Sequence, residues 1–297
     1  MKKFILQIAI IVITILLFVR CGEYENGGIP AYVEIDSVEF HTTNPMLQGT
    51  DRYNITDVWV YVDNEFLGTY EIPAMFPILK SGYHDIVLRP GIKVNGMTGS
   101  RMYYPFYTKD TMRVNLEKEK ILRFTDSLLP SFTYVPHATF GWKEDFEDYQ
   151  SGLVKSTKSN TIVSIVDNDI VDPDYGGNAC GHIQLNNSTT FFEVYTGDKL
   201  TEIPKQSGDV YLELDYKTDE LVTIGLYAYY ESQNIVQAPI IRLVPSDTWK
   251  KIYVFLSYTI QQYYSADYFR LYISGGSVVD SVTQQKDFYF DNLKIIY

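Results

Sequence analysis

Tyrosine side chains stand opposite the apolar face of a predicted β-strand in three segments of the carboxyl-terminal half, because alternate residues of a strand point to the same side. Tyr227 and Tyr229 share a face in the first segment. Tyr253 lies in the second segment, and Arg270 and Tyr272 share a face in the third. Flat aromatic rings surrounded by hydrogen-bonding groups can hold a sugar. If the three strands belong to one sheet, we predict a glycan-binding face here; the alternative is a face covered by loops or by another domain.

Catalytic and metal-site motifs are missing from the sequence. The four histidines are scattered without an HExxH pair, and no G-x-S-x-G elbow, P-loop or dinucleotide fingerprint occurs. A glycosidase needs only two well-placed carboxylates, and the 37 acidic residues leave that route open. We therefore predict a non-catalytic protein, with a carboxylate-based glycosidase as the enzymatic alternative.

The elements that must position these side chains are predicted to be strands. The chain contains 26 Tyr and 16 Phe, residue types that suit a half-buried pleated surface. Apolar residues alternate over Val210–Tyr216 and Thr223–Tyr230, and no helical period is sustained beyond the first twenty residues. The predicted class is all-β, with two β-sandwich domains in sequence.

The first domain is predicted over residues 31–127, followed by a linker over 128–139. Its sequence contains Val60-Tyr61-Val62-Asp63-Asn64, then Leu67-Gly68, then Gly82-Tyr83-His84. This order of strand, turn and return strand resembles the PEGA-type family of small β-sandwich repeats. The resemblance implies a spacer or interaction domain, with Asn64 at a turn position that requires positive φ.

The second domain is predicted over residues 140–297. Three motifs stand at its start, middle and end: Asp145-Phe146-Glu147-Asp148, Gly181-His182-Ile183-Gln184-Leu185 and Tyr289-Phe290-Asp291-Asn292-Leu293. Their order resembles that of the galactose-binding-like jelly rolls, a superfamily that contains many carbohydrate-binding modules. The resemblance implies a jelly-roll β-sandwich and a glycan partner.

The same resemblance implies a structural calcium ion between the first and last strands of the second domain. Glu147 and Asp291 would be its side-chain ligands, and backbone carbonyls would complete a shell of hard oxygens. The alternative is that the acidic residues around Glu147 are a solvated strand edge, which also discourages aggregation.

The amino terminus has the form of an export signal. Lys2 and Lys3 precede an apolar run over residues 4–19, which is short for a membrane-spanning helix. The segment ending in Cys21 resembles the lipobox of bacterial lipoproteins, although Arg20 stands where that family prefers a small residue. We predict a signal peptide over 1–20, lipidation of Cys21, a tether over 21–30 and display at the outer membrane. An unlipidated signal peptide and an uncleaved anchor helix are the alternatives.

The net charge of −12 limits the classes of partner that the chain is expected to bind. Removal of the three basic residues of the signal would make the mature chain −15, which disfavours binding to nucleic acid or directly to anionic lipid. Cys180 is the only cysteine besides Cys21, so no disulfide is expected within the mature chain. The alternative to glycan binding is a structural or adhesion lipoprotein whose β-domains bind an envelope protein.

Overall fold

The structure, a computed structural model, describes residues 28–148, 150–172, 177–277 and 285–297. The predicted signal, Cys21 and most of the tether therefore lie outside the described residues. Within the described ranges, no helix is long and apolar enough to cross a membrane. Almost all regular structure consists of strands, which confirms the predicted all-β class.

The first domain is built from short strands in three small sheets. Its strands are β1 (Ala31–Ile35), β2 (Glu39–Phe40), β3 (Asp57–Val62), β4 (Glu65–Glu71), β5 (Ala74–Ile78), β6 (Gly82–Lys93), β7 (Arg101–Tyr103), β8 (Asp110–Leu116), β9 (Ile121–Arg123) and β10 (Ser131–Phe132). The largest sheet has the order β4-β3-β6-β7, with β8 also paired to β6. A short helix, α1, covers Pro45–Gln48.

The β3–β4 hairpin follows its predicted pattern. Val58, Val60 and Val62 are buried because alternate residues of a strand share one face. Asp63 and Asn64 form the turn, with φ of 52° and 69°, the positive values that a two-residue hairpin turn demands. The prediction that Asn64 occupies a positive-φ position is confirmed.

The second domain is a two-layer sandwich. Its strands are β11 (Phe140–Glu144), β12 (Leu153–Lys155), β13 (Ser164–Asp167), β14 (Ala179–Leu185), β15 (Phe191–Thr196), β16 (Tyr211–Thr218), β17 (Val222–Tyr229), β18 (Ile235–Leu243), β19 (Ser246–Phe255), β20 (Tyr268–Gly276) and β21 (Lys286–Ile296). Two short helices are α2 (Asn168–Val171) and α3 (Ser257–Gln262). One sheet has the order β13-β14-β21-β16-β19, with β11 also paired to β21, and the other β12-β15-β20-β17-β18. Consecutive strands cross repeatedly between the two layers, as in a jelly roll.

The apolar faces of the two layers meet in one core. Leu212 and Leu214 of β16 pack with Leu226 of β17 and Leu271 of β20. Each of these positions follows the period of two predicted from the sequence. Cys180 is fully buried and is a free thiol, as expected for a small apolar residue.

The first domain covers the outer face of the β21-β16-β19 sheet. Tyr211, Tyr253 and Ile296 belong to the same buried cluster as the core of the first domain. A charged group is buried with them: Glu213 lies 3.1 Å from Lys251 Nζ and 3.8 Å from Lys294 Nζ. Glu213 also accepts hydrogen bonds of 2.9 Å from the hydroxyls of Tyr104 and Tyr134 of the first domain. In the part of the chain that the structure describes, the first domain does not pack on the outer face of the other sheet, β12-β15-β20-β17-β18.

Part of the segment predicted as the linker, residues 128–139, packs against the first domain. Ser131–Phe132 pairs as β10 with β2 in parallel, and Phe132 and Tyr134 are buried in the core of the first domain. Burial of these two aromatic rings holds the segment against the domain despite its prolines. The segment is structurally part of the first domain.

Candidate ligand-binding cleft

The outer face of the β15-β20-β17-β18 strands carries the predicted tyrosines. Tyr227 of β17 is directly opposite Arg270 of β20, and Tyr229 is opposite Tyr268. On the other side of β20, Tyr272 is opposite Tyr195 of β15. The register therefore brings Tyr227, Tyr229, Arg270 and Tyr272 onto one face, as predicted from strand parity.

Tyr253 is a correction to that prediction. Its strand, β19, pairs with β16 in the other layer of the sandwich. Its ring is only 1% exposed, and its hydroxyl lies 3.0 Å from the Tyr107 hydroxyl and accepts a hydrogen bond from the Asn54 backbone N–H. The first domain packs on this face, so Tyr253 holds the two domains together and lies away from the cleft.

Gly225 makes room for the ring of Tyr272 on this face. A Cβ at Gly225 would lie 2.5 Å from the ring of Tyr272 and 2.4 Å from the carbonyl oxygen of Ala238. The missing side chain lets the Tyr272 ring lie over β17, where its centroid is 4.9 Å from that of Tyr227. Tyr272 is 2% exposed and is not among the residues that line the cleft, so it supports the Tyr227 ring by packing against it.

A buried carboxylate, that of Glu193, lies at the centre of the cleft. Glu193 Oε1 accepts a 2.7 Å hydrogen bond from the Tyr227 hydroxyl, and Oε2 accepts one of 2.8 Å from the Gln237 side-chain amide. Lys158 Nζ is 3.4 Å from Oε1. These contacts satisfy a carboxylate whose residue is only 1% exposed.

The surroundings of Glu193 and Tyr227 keep the pair as a carboxylate and a neutral phenol. Burial alone would raise the pKa of Glu193, but hydrogen bonds from Tyr227 and Ser156 and the charge of Lys158 lower the pKa below its ordinary value. Burial and the hydrogen bond to Glu193 raise the pKa of Tyr227 well above 10. The pair is therefore a fixed hydrogen-bonding group at neutral pH.

Lys158 closes one side of the cleft. Its Nζ donates hydrogen bonds of 3.0 Å to the Tyr227 hydroxyl and to Gln237 Oε1, and it lies 5.5 Å from the Tyr227 ring centroid. Its side chain is 53% exposed, so it faces both the pair below and the solvent. A ligand hydroxyl arriving here would meet an ammonium group and an amide already held in place.

The cleft has a volume of about 370 Å³. It is lined by Ser156, Thr157, Lys158, Glu193, Tyr195, Tyr227, Tyr229, Ile235 and Gln237. A second cavity of about 460 Å³ adjoins it and shares Tyr229 and Ile235. Tyr229 stacks on Tyr268 between the two cavities, with centroids 4.5 Å apart and planes 10° apart. The two cavities share Tyr229 and Ile235 and together form a groove on this face.

Arg270 supports the cleft without lining it. Its Nη1 donates hydrogen bonds to the carbonyl oxygens of Thr196 at 2.5 Å and Gly197 at 2.7 Å. Its guanidinium carbon lies 5.2 Å from the centroid of the Tyr195 ring. Arg270 thus positions Tyr195 and the end of β15.

Sequence reasoning missed Glu193, Tyr195, Lys158 and Gln237. The first two lie in the run Phe191-Phe192-Glu193-Val194-Tyr195, where Phe192 and Val194 are buried and Glu193 and Tyr195 alternate with them. This period of two was a usable signal. Lys158 belongs to no strand, and no periodic pattern could have placed it.

The predicted calcium ligands lie in a different crevice, near α1. Glu147 and Asp291 line this cavity of about 540 Å³, and a carboxylate oxygen of each lies within 4 Å of the point that a Cβ on Gly177 would occupy. Glu147 also accepts hydrogen bonds from the Asn178 backbone and side chain at 3.0 and 2.8 Å. No cluster of three or more His, Cys, Asp or Glu side chains suited to a metal occurs in the described part of the chain. The two hard-oxygen donors fit Ca²⁺ in chemistry, and carbonyl oxygens would supply the remainder.

No protein-family model matches the chain, and no curated protein matches it. Solved structures with similarity to it include a carbohydrate-binding module of the β-sandwich superfamily, at 11% identity over 81% of this chain and 84% of that one, with a TM-score of 0.39. The C-terminal family 22 carbohydrate-binding module of Clostridium thermocellum Xyn10B is 12% identical, over 52% of this chain and 91% of its own, with a TM-score of 0.36. A family 29 module complexed with mannohexaose is 13% identical, over 54% and 92%, with a TM-score of 0.33. TM-scores below 0.5 do not assign a function to this chain.

Proposed function

We propose that this chain is a non-catalytic glycan-binding protein whose ligand lies in the cleft around Tyr229 and Glu193. The observation that carries the proposal is an indented face on which the partly exposed rings of Tyr195 and Tyr229 lie beside the buried, hydrogen-bonded carboxylate of Glu193. Ligand sites combine apolar or aromatic walls with a few fixed polar groups, and a sugar has both an apolar ring face and hydroxyls. The cleft supplies a counterpart for each.

A groove favours a glycan over a protein partner. The tyrosine face lies on the layer opposite the one that the first domain covers, and it is indented by two adjoining cavities. A partner protein would be favoured by a flat face continuous with the first domain. The extended groove suits a chain of sugar units running past Tyr229.

The chemistry of Glu193 supports binding without turnover. A glycosidase pairs two carboxylates, one of them a general acid with a raised pKa. The pKa of Glu193 is lowered, because hydrogen bonds and Lys158 outweigh its burial. Among the described residues, Glu193 is the only acidic side chain that lines this cleft, while Glu231 and Asp267 line the adjoining cavity.

Affinity electrophoresis of the purified protein through gels containing individual polysaccharides tests this function. We expect retardation by at least one polysaccharide and no release of reducing ends during incubation. Unretarded migration through every gel, or steady release of sugar, would contradict a non-catalytic glycan-binding function.

We further propose that a lipid on Cys21 holds the chain at the outer membrane, facing outward. The support is the basic start, the apolar run and the cysteine at its end. Several acyl chains on one cysteine would give a firm anchor, whereas one chain would not. Mass spectrometry of the mature amino terminus should find an acylated Cys21, and an unmodified cysteine would contradict the anchor. Protease treatment of intact cells tests the outward display.

We also propose a structural calcium ion held by Glu147 and Asp291. Its support is the approach of both carboxylates to the same point beside Gly177. A bound ion would neutralise the two acidic groups and tie the segment after β11 to β21. Addition of Ca²⁺ to chelator-treated protein should raise the melting temperature, and Glu147→Gln with Asp291→Asn should abolish the rise. A melting temperature insensitive to Ca²⁺ would contradict the site.

A further inference from the structure

An aromatic face also lies on the first domain, on the outer side of the β4-β3-β6-β7 sheet. Trp59 packs edge-on against Tyr103, with centroids 5.7 Å apart, and lies 5.6 Å from Phe66. Tyr61 lies 5.2 Å from Phe66. Phe66 is 53% exposed and Tyr103 is 37% exposed. Exposed aromatic clusters of this kind mark ligand or partner sites more often than scattered single residues do.

Arg89 lies within this aromatic face. Its guanidinium carbon is 4.9 Å from the Tyr103 centroid and 5.6 Å from the Tyr61 centroid. Among the described residues it makes no ion pair and no side-chain hydrogen bond. A guanidinium carries five N–H donors in a rigid fork, so Arg89 holds unused hydrogen-bonding capacity on a fixed support.

The other arginines of the first domain differ from Arg89, because each pairs with a carboxylate. Arg101 pairs with Glu71 at 3.0 Å, Arg113 with Asp85 at 3.1 Å, Arg123 with Glu34 at 2.6 Å and Arg52 with Asp215 at 3.3 Å. In a chain with a net charge of −12, carboxylates are plentiful. Arg89 is therefore the guanidinium of this domain left for an external anion.

A cavity of about 190 Å³ opens beside Arg89. Its lining residues are Arg89, Tyr103, Tyr104, Pro105, Tyr107, Lys109 and Val135. Two of these are cations, and none is acidic. The volume is below the range of about 300–1,000 Å³ common for larger ligands, so it suits one small unit.

Two tyrosine hydroxyls of this cavity are already hydrogen-bonded within the protein. The Tyr104 hydroxyl turns inward to Glu213 at 2.9 Å, and the Tyr107 hydroxyl is 3.0 Å from that of Tyr253. Both phenols are thus engaged in the domain interface. The groups that remain for a ligand are the guanidinium of Arg89, the ammonium of Lys109 and the apolar surfaces of Tyr103 and Pro105.

We propose that the Arg89 pocket is a second ligand site, and that it takes the carboxylate of an acidic sugar. A carboxylate can accept two parallel hydrogen bonds from one guanidinium, and Lys109 adds a second positive charge. The sugar ring would then lie against Tyr103. The first domain is in this case a binding module and not only a spacer, and the site is independent of the cleft on the second domain.

The test is a calorimetric titration of the full-length protein in detergent with three probes: glucuronate, glucose and acetate. Glucose has the ring without the charge, and acetate has the charge without the ring. We expect glucuronate to bind more tightly than both, with an affinity that falls as salt is added. Equal binding of acetate and glucuronate would reduce the site to a small-carboxylate site and overturn the sugar assignment.

Three variants make the test specific. Arg89→Gln should weaken glucuronate binding roughly tenfold or more, because it removes charged hydrogen bonds. Arg89→Lys keeps the charge but not the fork and should bind with intermediate affinity. Arg113→Gln, on the same sheet face but already paired with Asp85, should bind as the wild type does.

Two variants distinguish binding of glucuronate in the Arg89 pocket from binding in the cleft of the second domain. Tyr229→Ala should leave glucuronate binding unchanged, because Tyr229 belongs to the other domain. Glucuronate binding that is lost in Tyr229→Ala and kept in Arg89→Gln would overturn the Arg89 pocket and assign the acid to the cleft. Absence of glucuronate binding by folded wild-type protein would also overturn it.

Discussion

Tyr227 of β17 donates a 2.7 Å hydrogen bond to Glu193 of β15, although β20 lies between these two strands. The bond spans the outer face of the sheet and joins an aromatic ring to a buried carboxylate. It is possible because the strands on either side of β20 present the same parity outward. The glycan-binding cleft is organised around this pair.

Tyr227→Phe tests the role of this hydrogen bond. Without it, the pKa of Glu193 should rise, since the Tyr227 hydroxyl is one of the groups that lower it. A carboxyl with a depressed folded-state pKa stabilises the protein above its unfolded pKa and loses that contribution as the pH falls through the folded value. As the pH is lowered, we therefore expect the glycan affinity of Tyr227→Phe to decline at a higher pH than that of the wild type. Superimposable pH profiles would contradict this role.

Tyr253→Phe separates the domain interface from the cleft. The change removes a hydroxyl that is hydrogen-bonded to the Asn54 backbone N–H and to Tyr107. Leaving these buried groups unpaired should lower the free energy of unfolding by about 1–3 kcal/mol in urea denaturation. Glycan affinity should stay at the wild-type value. A large loss of affinity in a folded Tyr253→Phe protein would place Tyr253 at the binding face after all.

Lys294→Met tests the buried charges between the domains. Burial, with Lys251 nearby, lowers the pKa of Lys294 from 10.5 to about 8. Between these values the unfolded chain binds a proton that the folded chain has released, so the free energy of unfolding should rise with pH. We expect this rise in wild-type protein between about pH 8 and pH 9.5, before unfolded tyrosines ionise, and its absence in Lys294→Met.

Urea denaturation at several pH values across that window is the measurement. Lys250→Met serves as the control, because Lys250 neighbours the buried Lys251 in sequence but is exposed. Its slope against pH should match that of the wild type. An equal slope in Lys294→Met would show that Lys294 does not titrate in this range.

The faces of individual strands could be predicted from the sequence, but their assignment to layers could not. Tyr227 and Tyr253 both stand opposite a run of Ile, Val or Leu, and the two patterns look alike. What separates them is that β17 pairs with β20, whereas β19 pairs with β16 beneath the first domain. Pairing between distant strands leaves no periodic signal within either strand.

The burial of certain polar side chains could not be predicted from the sequence either. Glu193 and Glu213 are 1% and 0% exposed, yet acidic residues are almost never buried unless paired. Their partners, Tyr227 for the first and Lys251 for the second, lie more than thirty residues away. Residues 128–139 were also difficult to interpret from sequence, because their prolines indicated a linker although Phe132 is buried in the core.

The most direct measurement of the central claim compares Tyr229→Ala with Tyr83→Ala on a polysaccharide that retards the wild-type protein. Tyr229 stands between the two cavities of the groove, and Tyr83 is a 68% exposed tyrosine of the first domain. Loss of a central aromatic contact should cost about 2 kcal/mol, which is roughly a thirtyfold rise in Kd. The account predicts this rise for Tyr229→Ala and an unchanged Kd for Tyr83→Ala. Equal Kd values for the wild type and a folded Tyr229→Ala protein would contradict it.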